Sequence, residues 1–352
     1  MTEVTTSQPG GAVDVDDDYE AVRVVGLSKT FKVRSRSSVQ HVHAVRDVSF
    51  RVTRGSALGI AGESGSGKST VARMMVGLEV PSDGEIWIGG ARLPEPPSTS
   101  DRRTHARRIQ MVFQDPYSSL DPRQPISAAL DEVQRVHFQR SPRERRARTL
   151  QLLDAVGLGE RYVEALPRAL SGGQRQRLVI ARSLAAEPAV LVLDEAVSAL
   201  DVSTQAQILN LLRDLQAEYG LTYIFISHDL AVIRQICDDV LVLYRGELME
   251  HAPAEQLLTR PRHPYTKLLL DSVPRQGMEL EKRPERGTLN DAGCLFASRC
   301  PHAHDRCSAE PPEFSEPSGG RSRCWLAADA PSTSPLLDHR AAHHKGGPDD
   351  DR

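Results

Sequence analysis

A glycine-rich run, "GESGSGKST" from Gly62 to Thr70, carries the most specific chemistry in this chain. It matches the pattern G-x-x-x-x-G-K-[ST], follows the apolar "LGIA" and precedes the helix-like "VARMMVGL", which is the context that separates a phosphate-binding loop from an ordinary glycine-rich turn. Backbone N–H groups of such a loop surround phosphate oxygens, and the helix start adds positive potential. The predicted nucleotide-binding residues of this loop are Gly62, Ser64, Gly65, Ser66, Gly67, Lys68, Ser69 and Thr70.

Two carboxylates supply the complementary chemistry. The stretch "AVLVLDEA" reads as a buried strand that ends in Asp194 and Glu195. We expect Asp194 and the Ser69 hydroxyl to hold Mg²⁺, while Lys68 reaches the β and γ phosphates. Glu195 is then free to orient or deprotonate an attacking water. A strand that ends in "DE" is usually solvated, but the loop upstream favours a functional role here.

A second anion-binding helix start is predicted at "ALSGGQRQRLVIAR". Ser171 and Gln174 fit the S-x-x-Q capping box, and Gly172 and Gly173 leave the helix start uncrowded, so that its N–H groups can approach a phosphate. The alternative is a capped surface helix that binds nothing. One nucleotide does not need two phosphate cradles in one chain, so we expect the second cradle to serve a nucleotide held by another subunit.

Composition excludes several classes of protein. With 352 residues and 39% hydrophobic composition, the chain can form one large domain and a smaller appendage. The formal net charge of −3 does not favour nucleic acid as the main ligand. No apolar run reaches the about 18 to 20 residues that a membrane-spanning helix requires, and no secretory leader is evident. We therefore expect a cytoplasmic protein.

The elements that position these residues alternate between strands and helices. Apolar runs such as "SALGIAG", "IQMVFQ", "TYIFISH" and "DVLVLY" are separated by helix-like segments, a pattern that predicts an α/β domain with a buried, largely parallel sheet. The tetrapeptide "YRGE" predicts a hairpin after the last of these strands. Residues 1–20 are predicted to be a disordered leader and residues 331–352 a disordered tail.

Together the motifs resemble those of ATP-binding-cassette ATPases. "GESGSGKST", "LSGGQRQR", "VLVLDE", "SALD" and "ISHD" occur in this family's order, and other phosphate-loop enzymes lack "LSGGQ". The resemblance implies a P-loop nucleotide-binding domain with a helical subdomain. It also implies ATP and Mg²⁺ as ligands, and a head-to-tail dimer in which the loop of one subunit faces Ser171, Gly172, Gly173 and Gln174 of the other.

The same resemblance assigns further residues. Gln114 in "MVFQDP" matches the glutamine that senses Mg²⁺ and the γ-phosphate, and His228 in "ISHD" matches the switch histidine. With Glu195 they form the predicted catalytic group. Asp201 in "SALD" matches the aspartate at the dimer seam, and Phe31 lies where the family places an aromatic side chain that stacks on adenine. A phenylalanine near a strand is more often part of the core.

Three longer stretches are similar to the ATPase subunits of oligopeptide and dipeptide importers. They are "VFQDPYSSLDPR", "DEAVSALDVSTQAQILNLL" and "HPYTKLLLDSVP". The chain changes composition beyond Pro261, with frequent proline and four cysteines, which places a small C-terminal module over 261–330. The resemblance implies that this module is of the importer type, and that residues 21–260 form an ATPase domain with a helical insert over about 115–185. It implies two transmembrane permease subunits as partners, a second ATPase subunit that is identical or related, a substrate-binding protein acting indirectly, and a place at the inner face of the cell membrane.

Four cysteines in the C-terminal module are candidate ligands of a metal or cluster: Cys294, Cys300, Cys307 and Cys324. None of their spacings is the C-x₂-C typical of zinc sites. The pattern resembles the cysteine motif of importer ATPases, some of which hold a [4Fe–4S] cluster. An iron–sulfur cluster, Zn²⁺, and thiols that bind nothing or contact a partner all stay open, and His302 and His304 lie close enough in sequence to replace a ligand.

The sequence thus predicts the ATP-hydrolysing subunit of an ATP-driven peptide importer. A soluble cassette ATPase that works as a mechanochemical clamp in a non-transport complex would share every ATP-site motif. It would leave "HPYTKLLL" and the cysteine module unexplained. An ordinary phosphate-loop kinase or GTPase would have no use for "LSGGQ".

Overall fold

Two β-sheets form the framework of the computed structural model, which describes residues 20–34, 39–94, 97–117, 119–272, 293–315 and 320–328. The larger sheet contains β3 (Ala57–Ala61), β6 (Ile109–Val112), β7 (Val190–Asp194), β8 (Thr222–Ile226), β9 (Asp239–Tyr244), β10 (Glu247–Pro253) and β11 (Arg321–Ser322). Their order is β11-β10-β9-β3-β8-β7-β6. The five strands from β9 to β6 are parallel, as the sequence predicts.

The buried strands of this sheet divide the core between two faces. Every residue of β3, β7 and β8 is buried, as expected of parallel strands that are covered on both sides. Alternate residues of β7 enter different clusters: Leu191 and Leu193 pack with the helical insert, while Val190 and Val192 pack with the smaller sheet. The end of β7 is therefore held firmly, and Asp194 with it.

The smaller sheet was not predicted from the sequence. It is antiparallel and contains β1 (Glu20–Arg34), β2 (Val39–Thr53), β4 (Asp83–Ile88) and β5 (Ala91–Arg92) in the order β2-β1-β4-β5. Register shifts interrupt the pairing of β1 with both neighbours, which obscures the period-2 pattern on which strand prediction depends. Of the predicted leader, only Glu20 lies within the described residues, and the predicted tail lies outside them.

Eleven α-helices lie within the described part of the chain. They are α1 (Lys68–Met75), α2 (Thr99–Ala106), α3 (Ile126–His137), α4 (Pro142–Ala155), α5 (Gly172–Leu184), α6 (Val202–Tyr219), α7 (Leu230–Ile236), α8 (Ala254–Thr259), α9 (Pro264–Asp271), α10 (Asp305–Ala309) and α11 (Trp325–Ala328). In these ranges, no helix is both long enough and apolar enough to cross a membrane.

Helices α3 and α4 and the start of α5 form the helical insert between β6 and β7. Local signals set the bounds of α4: Pro142 occupies its first turn, and Ser141 and Glu144 form a reciprocal capping box. The insert packs Leu130, Leu152 and Leu178 into one cluster with the larger sheet. It therefore fixes where α5 begins relative to the sheet.

The described C-terminal residues share the core of the larger sheet. Strand β11 extends that sheet by pairing with β10, with Glu250 opposite Ser322. Tyr265 and Phe296 are fully buried in the same cluster as the strands. The hairpin predicted at "YRGE" joins β9 to β10 through Arg245 and Gly246, both of which have positive φ angles, as a two-residue hairpin turn requires.

The buried His263 side chain makes the stability of the folded chain depend on pH. It caps α9, and its Nδ1 atom accepts a hydrogen bond of 3.0 Å from the Tyr265 N–H. Burial lowers the His263 pKa from 6.5 to about 3. Between those values the unfolded chain binds a proton that the folded chain does not, so stability is present above pH 6.5 and is lost as pH falls. We expect a slope of up to about 1.4 kcal/mol per pH unit from this group.

The His263→Asn variant tests this expectation, because asparagine can cap a helix but does not titrate. Urea unfolding between pH 4.5 and 7 should show a shallower loss of stability in the variant than in the wild type. An identical slope in the two proteins would show that His263 does not carry the effect.

Candidate active site

The glycine-rich loop connects β3 to α1 at the carboxyl edge of the parallel sheet. Two of its glycines are required by close backbone approach. Gly62 has a φ of 148°, and a Cβ built there would lie 2.3 Å from the Leu243 carbonyl oxygen; Gly67 has a φ of 106°, and its Cβ would lie 2.5 Å from the Ala44 carbonyl oxygen. The outer part of the loop is open, because nothing lies within 4 Å of a Cβ built at Gly65.

Lys68 lies buried beneath the loop, only 6% exposed. Its Nζ atom donates hydrogen bonds of 2.8 Å to the carbonyl oxygens of Gly62 and Glu63. Burial lowers the pKa of Lys68, while the carboxylates of Glu195, Asp194 and Glu63 act in the opposite direction. The ammonium group thus lies among carboxylates and is positioned to bind an anion that enters the loop.

Asp194 ends β7 opposite the first turn of α1. The Ser69 hydroxyl donates a hydrogen bond of 3.2 Å to Asp194 Oδ1. Burial raises the pKa of Asp194, since desolvation disfavours the charged form, and the neighbouring Glu195 carboxylate adds to this rise. A hydroxyl and a carboxylate oxygen side by side are ligands of the kind that Mg²⁺ prefers.

Glu195 stands at the centre of the site with a polar group on each side. Its Oε2 atom accepts a hydrogen bond of 2.7 Å from Gln114 Nε2, and its Oε1 atom lies 3.1 Å from His228 Nδ1. The structure therefore brings together three predicted catalytic residues that lie 81 and 33 positions apart in the sequence.

The backbone of Glu195 is itself unusual. Its φ of 49° places a non-glycine residue in the left-handed region, a conformation that costs free energy and that surrounding structure must maintain. A hydrogen bond of 3.0 Å from the Glu195 N–H to the Ile226 carbonyl oxygen ties this residue, which follows β7, to the end of β8. The carboxylate is thereby aimed across the end of the sheet.

Ser171 begins α5 as the sequence predicts. The Gln174 N–H donates to Ser171 Oγ at 3.3 Å, and the Ser171 N–H donates to Gln174 Oε1 at 2.9 Å, which completes the capping box. Gln174 Nε2 also donates to the Tyr162 hydroxyl at 2.9 Å. Ser171 and Gly172 are exposed, so this helix start is open to a ligand from outside the chain.

Gly173 has a packing role that the sequence did not indicate. A Cβ built there would lie 2.5 Å from Thr204 Cγ2 on α6. Asp201 caps that helix by accepting hydrogen bonds from the Thr204 N–H (2.9 Å), the Thr204 hydroxyl (2.8 Å) and the Ser203 hydroxyl (2.6 Å). These hydrogen bonds lower the pKa of the exposed Asp201 carboxyl, and the bond from the Ser203 hydroxyl has the largest effect. The starts of α5 and α6 are thus in contact.

The contact predicts the result of adding one methyl group at Gly173. Gly173→Ala forces the starts of α5 and α6 apart, and overpacking of this kind costs about 1 to 3 kcal/mol. Thr204→Ser removes the offending methyl group and keeps the hydroxyl that bonds Asp201. We expect thermal unfolding to show a loss in Gly173→Ala and recovery in the Gly173→Ala/Thr204→Ser double variant. A double variant as unstable as the single one would contradict this explanation.

The remaining predicted residues occupy the loop and β1. Ser64 is exposed, Thr70 is half-buried, and the Ser66 hydroxyl is buried without a hydrogen-bond partner among the described residues. Phe31 is half-buried in β1, and Lys29 Nζ lies 4.9 Å from the centre of its ring. Part of the ring is therefore available to stack on a base.

These groups fit a nucleoside triphosphate with Mg²⁺. The loop is open at Gly65. The Lys68 ammonium group is bonded to backbone carbonyls that phosphate oxygens could replace, and the Ser66 hydroxyl has no hydrogen-bond partner among the described residues. Ser69 and Asp194 place two oxygen ligands 3.2 Å apart at the end of the cradle. The donor set thus suits phosphate oxygens and a hard divalent cation.

The four cysteines of the C-terminal module line one cavity, together with His263, Phe296, His302 and Trp325 among others. Burial raises the pKa of Cys294, Cys300 and Cys324 to about 11, so these thiols are protonated at neutral pH. Within the described residues, no three His, Cys, Asp or Glu side chains are grouped closely enough to hold a metal ion. The structure therefore gives the predicted iron–sulfur or zinc site no support.

Two residues that contact the phosphate-binding loop were not found by sequence reasoning. Arg299 forms an ion pair with the Glu63 carboxylate, and the Tyr265 hydroxyl accepts a hydrogen bond from the Glu63 N–H. They come from the C-terminal module, over 200 residues away along the chain. No spacing or motif signal links them to the loop.

Comparison with known proteins gives two family matches. A model described as ABC transporter matches residues 45–198, and one described as oligopeptide/dipeptide transporter, C-terminal region, matches residues 249–307. The first contains the glycine-rich loop, Gln114, the "LSGGQ" helix start and Glu195. The second contains Tyr265, Arg299 and three of the four module cysteines, the exception being Cys324.

Curated relatives match over most of their length. The dipeptide transport ATP-binding protein DppF of Haemophilus influenzae is 40% identical over 317 residues, which are 88% of this chain and 97% of the relative. The probable D,D-dipeptide transport ATP-binding protein DdpF of Escherichia coli is 44% identical over 298 residues, 82% of this chain and 92% of the relative. The oligopeptide transport ATP-binding protein AppF of Bacillus subtilis is 43% identical over 302 residues, which are 82% of this chain and 92% of the relative.

Solved structures match about two thirds of the chain. The dimeric, post-hydrolysis form of the ATP-binding cassette MJ0796 with ADP and Pi is 31% identical, with a TM-score of 0.58, covering 66% of this chain and 98% of that one. The cbiO1 protein of Clostridium perfringens, part of the transporter complex cbiONQ, is 27% identical, with a TM-score of 0.59, covering 68% of this chain and 90% of that one.

Proposed function

Since this chain belongs to the family of ATP-binding subunits of ABC-type oligopeptide and dipeptide transporters, we propose that it couples ATP hydrolysis to peptide uptake. The fold class and the ATPase family predicted from the sequence are confirmed. The chain is an ABC-type ATPase that binds ATP and Mg²⁺. The observation that carries the mechanism is the Glu195 carboxylate, held between Gln114 and His228 near Lys68, with Ser69 bonded to the adjacent Asp194.

In the proposed nucleotide complex, the loop from Gly62 to Thr70 surrounds the phosphates. Phe31 stacks on adenine, and Lys68 exchanges its bonds to backbone carbonyls for bonds to the β and γ phosphates. Ser69, Gln114 and Asp194 would hold Mg²⁺, which neutralises charge on the phosphate oxygens. The support for this arrangement is the hydrogen bond between Ser69 and Asp194, and the open cradle above Lys68.

Glu195 is proposed to be the general base. Its carboxylate accepts a proton from the attacking water, while Gln114 and His228 hold it in place. His228 is 59% exposed at its side chain, so it is also free to contact the γ-phosphate. Attack of the water oxygen on the γ-phosphorus breaks the bond to the β-γ bridging oxygen and leaves ADP and phosphate.

The dimer is proposed to complete each site. Ser171 to Gln174 of the partner subunit present an open helix start to the γ-phosphate, and Asp201 lies at the seam. Support comes from the exposure of Ser171 and Gly172 and from the contact between Gly173 and Thr204, which joins the seam to the helix start. ATP then holds two subunits together, and hydrolysis releases them.

The proposed partners are two transmembrane permeases at the inner face of the cell membrane, and a second ATPase subunit that is identical or related. A substrate-binding protein would deliver the peptide. The helical insert, which lies beside Gln114, would receive a cytoplasmic segment of the permease. The match of the C-terminal region favours this importer over a soluble mechanochemical clamp.

The division into an ATPase domain over 21–260 and a module over 261–330 stays a prediction, as does an iron–sulfur cluster on the four cysteines. The four cysteines line one cavity, but among the described residues they form no group that could hold a metal ion. Iron, zinc and acid-labile sulfide measured in the anaerobically purified chain would distinguish a cluster, a zinc site and free thiols.

Peptide uptake by the host cell tests the transport function. We expect a strain that lacks this chain to lose uptake of a radiolabelled dipeptide or oligopeptide, and to regain it with the wild-type chain but not with Glu195→Gln. Uptake that is unchanged for peptides of both lengths would contradict the proposed function.

A further inference from the structure

Glu63, the second residue of the phosphate-binding loop, is held from outside the ATPase core. Arg299 Nη1 and Nη2 donate to the two Glu63 carboxylate oxygens, each at 2.8 Å. The Glu63 N–H donates to the Tyr265 hydroxyl oxygen at 2.8 Å. A bidentate guanidinium–carboxylate pair adds geometric specificity to the strength of a charged hydrogen bond. The carboxylate is therefore fixed in orientation as well as in place.

The third polar group of Glu63 contacts the phosphate-binding lysine directly. Its carbonyl oxygen accepts the hydrogen bond of 2.8 Å from Lys68 Nζ. The side chain and the N–H of Glu63 are thus bound by the C-terminal module, while its carbonyl binds Lys68. Any shift of the Glu63 peptide unit moves an acceptor of the ammonium group that has to reach the phosphates.

The two residues that hold Glu63 are themselves rigidly supported. Tyr265 and Phe296 are fully buried, with ring centres 5.3 Å apart, and the Tyr244 ring lies 4.6 Å from Tyr265. Arg299 closes a short 3₁₀ turn, and its N–H donates to the Phe296 carbonyl oxygen at 3.0 Å. The module therefore presents a fixed hydroxyl and a fixed guanidinium group to the loop.

The ion pair between Arg299 and Glu63 also affects the charge beside the nucleotide. An unpaired Glu63 carboxylate at the edge of the cradle would repel the phosphates of an incoming nucleotide. Arg299 neutralises that charge, and the same ion pair raises the pKa of the Arg299 guanidinium. Loss of Arg299 would both loosen the loop and leave a negative charge beside the nucleotide.

We infer that Arg299 and Tyr265 are positioning residues for ATP, through which the C-terminal module sets the nucleotide affinity of the phosphate-binding loop. Neither residue touches the reacting atoms; both act through Glu63 on Lys68 and on the shape of the loop. The inference rests on the proposed function, since it concerns the same ATP site.

Three variants of the full-length chain test the inference. Arg299→Gln removes the ion pair, and Tyr265→Phe removes a single hydroxyl while it keeps the buried ring. Arg323→Gln is the matched control, because Arg323 pairs with Glu247 at 3.2 Å and is as buried as Arg299, yet among the described residues it forms no hydrogen bond or ion pair with the loop. Dissociation constants for a fluorescent ATP analogue, and kcat and KM for ATP, are measured for each.

We expect the dissociation constant and KM for ATP to rise about 3- to 10-fold in Arg299→Gln and about 2- to 5-fold in Tyr265→Phe. The kcat at saturating ATP should stay within about twofold of wild type, since the residues act on binding and not on the water. Arg323→Gln should keep wild-type affinity, even where its melting temperature falls as far as that of Arg299→Gln.

Charge and positioning are separated by the double variant Glu63→Gln/Arg299→Gln. Removing the unpaired carboxylate should recover part of the affinity that Arg299→Gln loses. ATP affinities that are equal in wild type, Arg299→Gln, Tyr265→Phe and Arg323→Gln would overturn the inference and leave the proposed function intact. A wild-type chain that binds no ATP would overturn both.

Discussion

We expect the Glu195→Gln chain to bind ATP but to hydrolyse it far more slowly than the wild type. Glutamine keeps the size of the side chain and can still contact Gln114 and His228, but it cannot take a proton from water. We expect kcat to fall by about 10²- to 10⁴-fold, the range for loss of a general base, while the affinity for ATP stays near that of wild type. Phosphate release at saturating ATP and equilibrium nucleotide binding measure the two quantities separately.

Glu187→Gln is the matched control for this substitution. Glu187 also has a positive φ, 55°, and pairs with Arg140 on the surface, away from the loop. It should hydrolyse ATP at the wild-type rate. A Glu195→Gln chain that retains more than about a tenth of the wild-type kcat would assign the base to another group.

The Lys68→Met chain fails at the earlier step, nucleotide binding. Methionine fills the space of the lysine stem but offers no charge to the phosphates, and the carboxylates of Asp194, Glu195 and Glu63 then lack the ammonium group between them. Charged hydrogen bonds are worth about 1.5 to 3 kcal/mol, so the dissociation constant for ATP should rise about 10- to 150-fold. Fluorescent-nucleotide titration measures it.

Lys267→Met serves as the control, because Lys267 lies on α9 two residues beyond Tyr265, and among the described residues its side chain forms no hydrogen bond or ion pair with the loop. It should bind ATP as wild type does. Unchanged ATP affinity in Lys68→Met would mean that the loop does not hold the phosphates in the way proposed here.

The parallel sheet was readable from the sequence because its strands are buried on both faces. Runs such as "VLVLD" and "TYIFI" are apolar at nearly every position, so they are conspicuous against the helices. The position of Glu195 followed from the strand that ends at Asp194. The capping box at Ser171 was also predictable from the sequence, because its two residues, Ser171 and Gln174, lie within one helical turn.

Other features depend on contacts that sequence patterns do not encode. The bulged β1 mixes exposed and buried positions without a regular period, so the smaller sheet was missed. The glycine at position 173 was explained by access to phosphate, whereas the structure adds close packing on Thr204. Arg299 lies 236 residues from Glu63, and only the folded chain brings the two together.

The most direct test of the importer assignment is capture of the Glu195→Gln chain from detergent-solubilised membranes with ATP present, followed by mass spectrometry. Blocked hydrolysis should preserve the ATP-bound complex during purification. We predict recovery of two permeases with several membrane-spanning helices each, and of either this ATPase alone or a related one beside it. Recovery of soluble proteins only, from a chain that still dimerises with ATP, would contradict the account and favour a mechanochemical clamp.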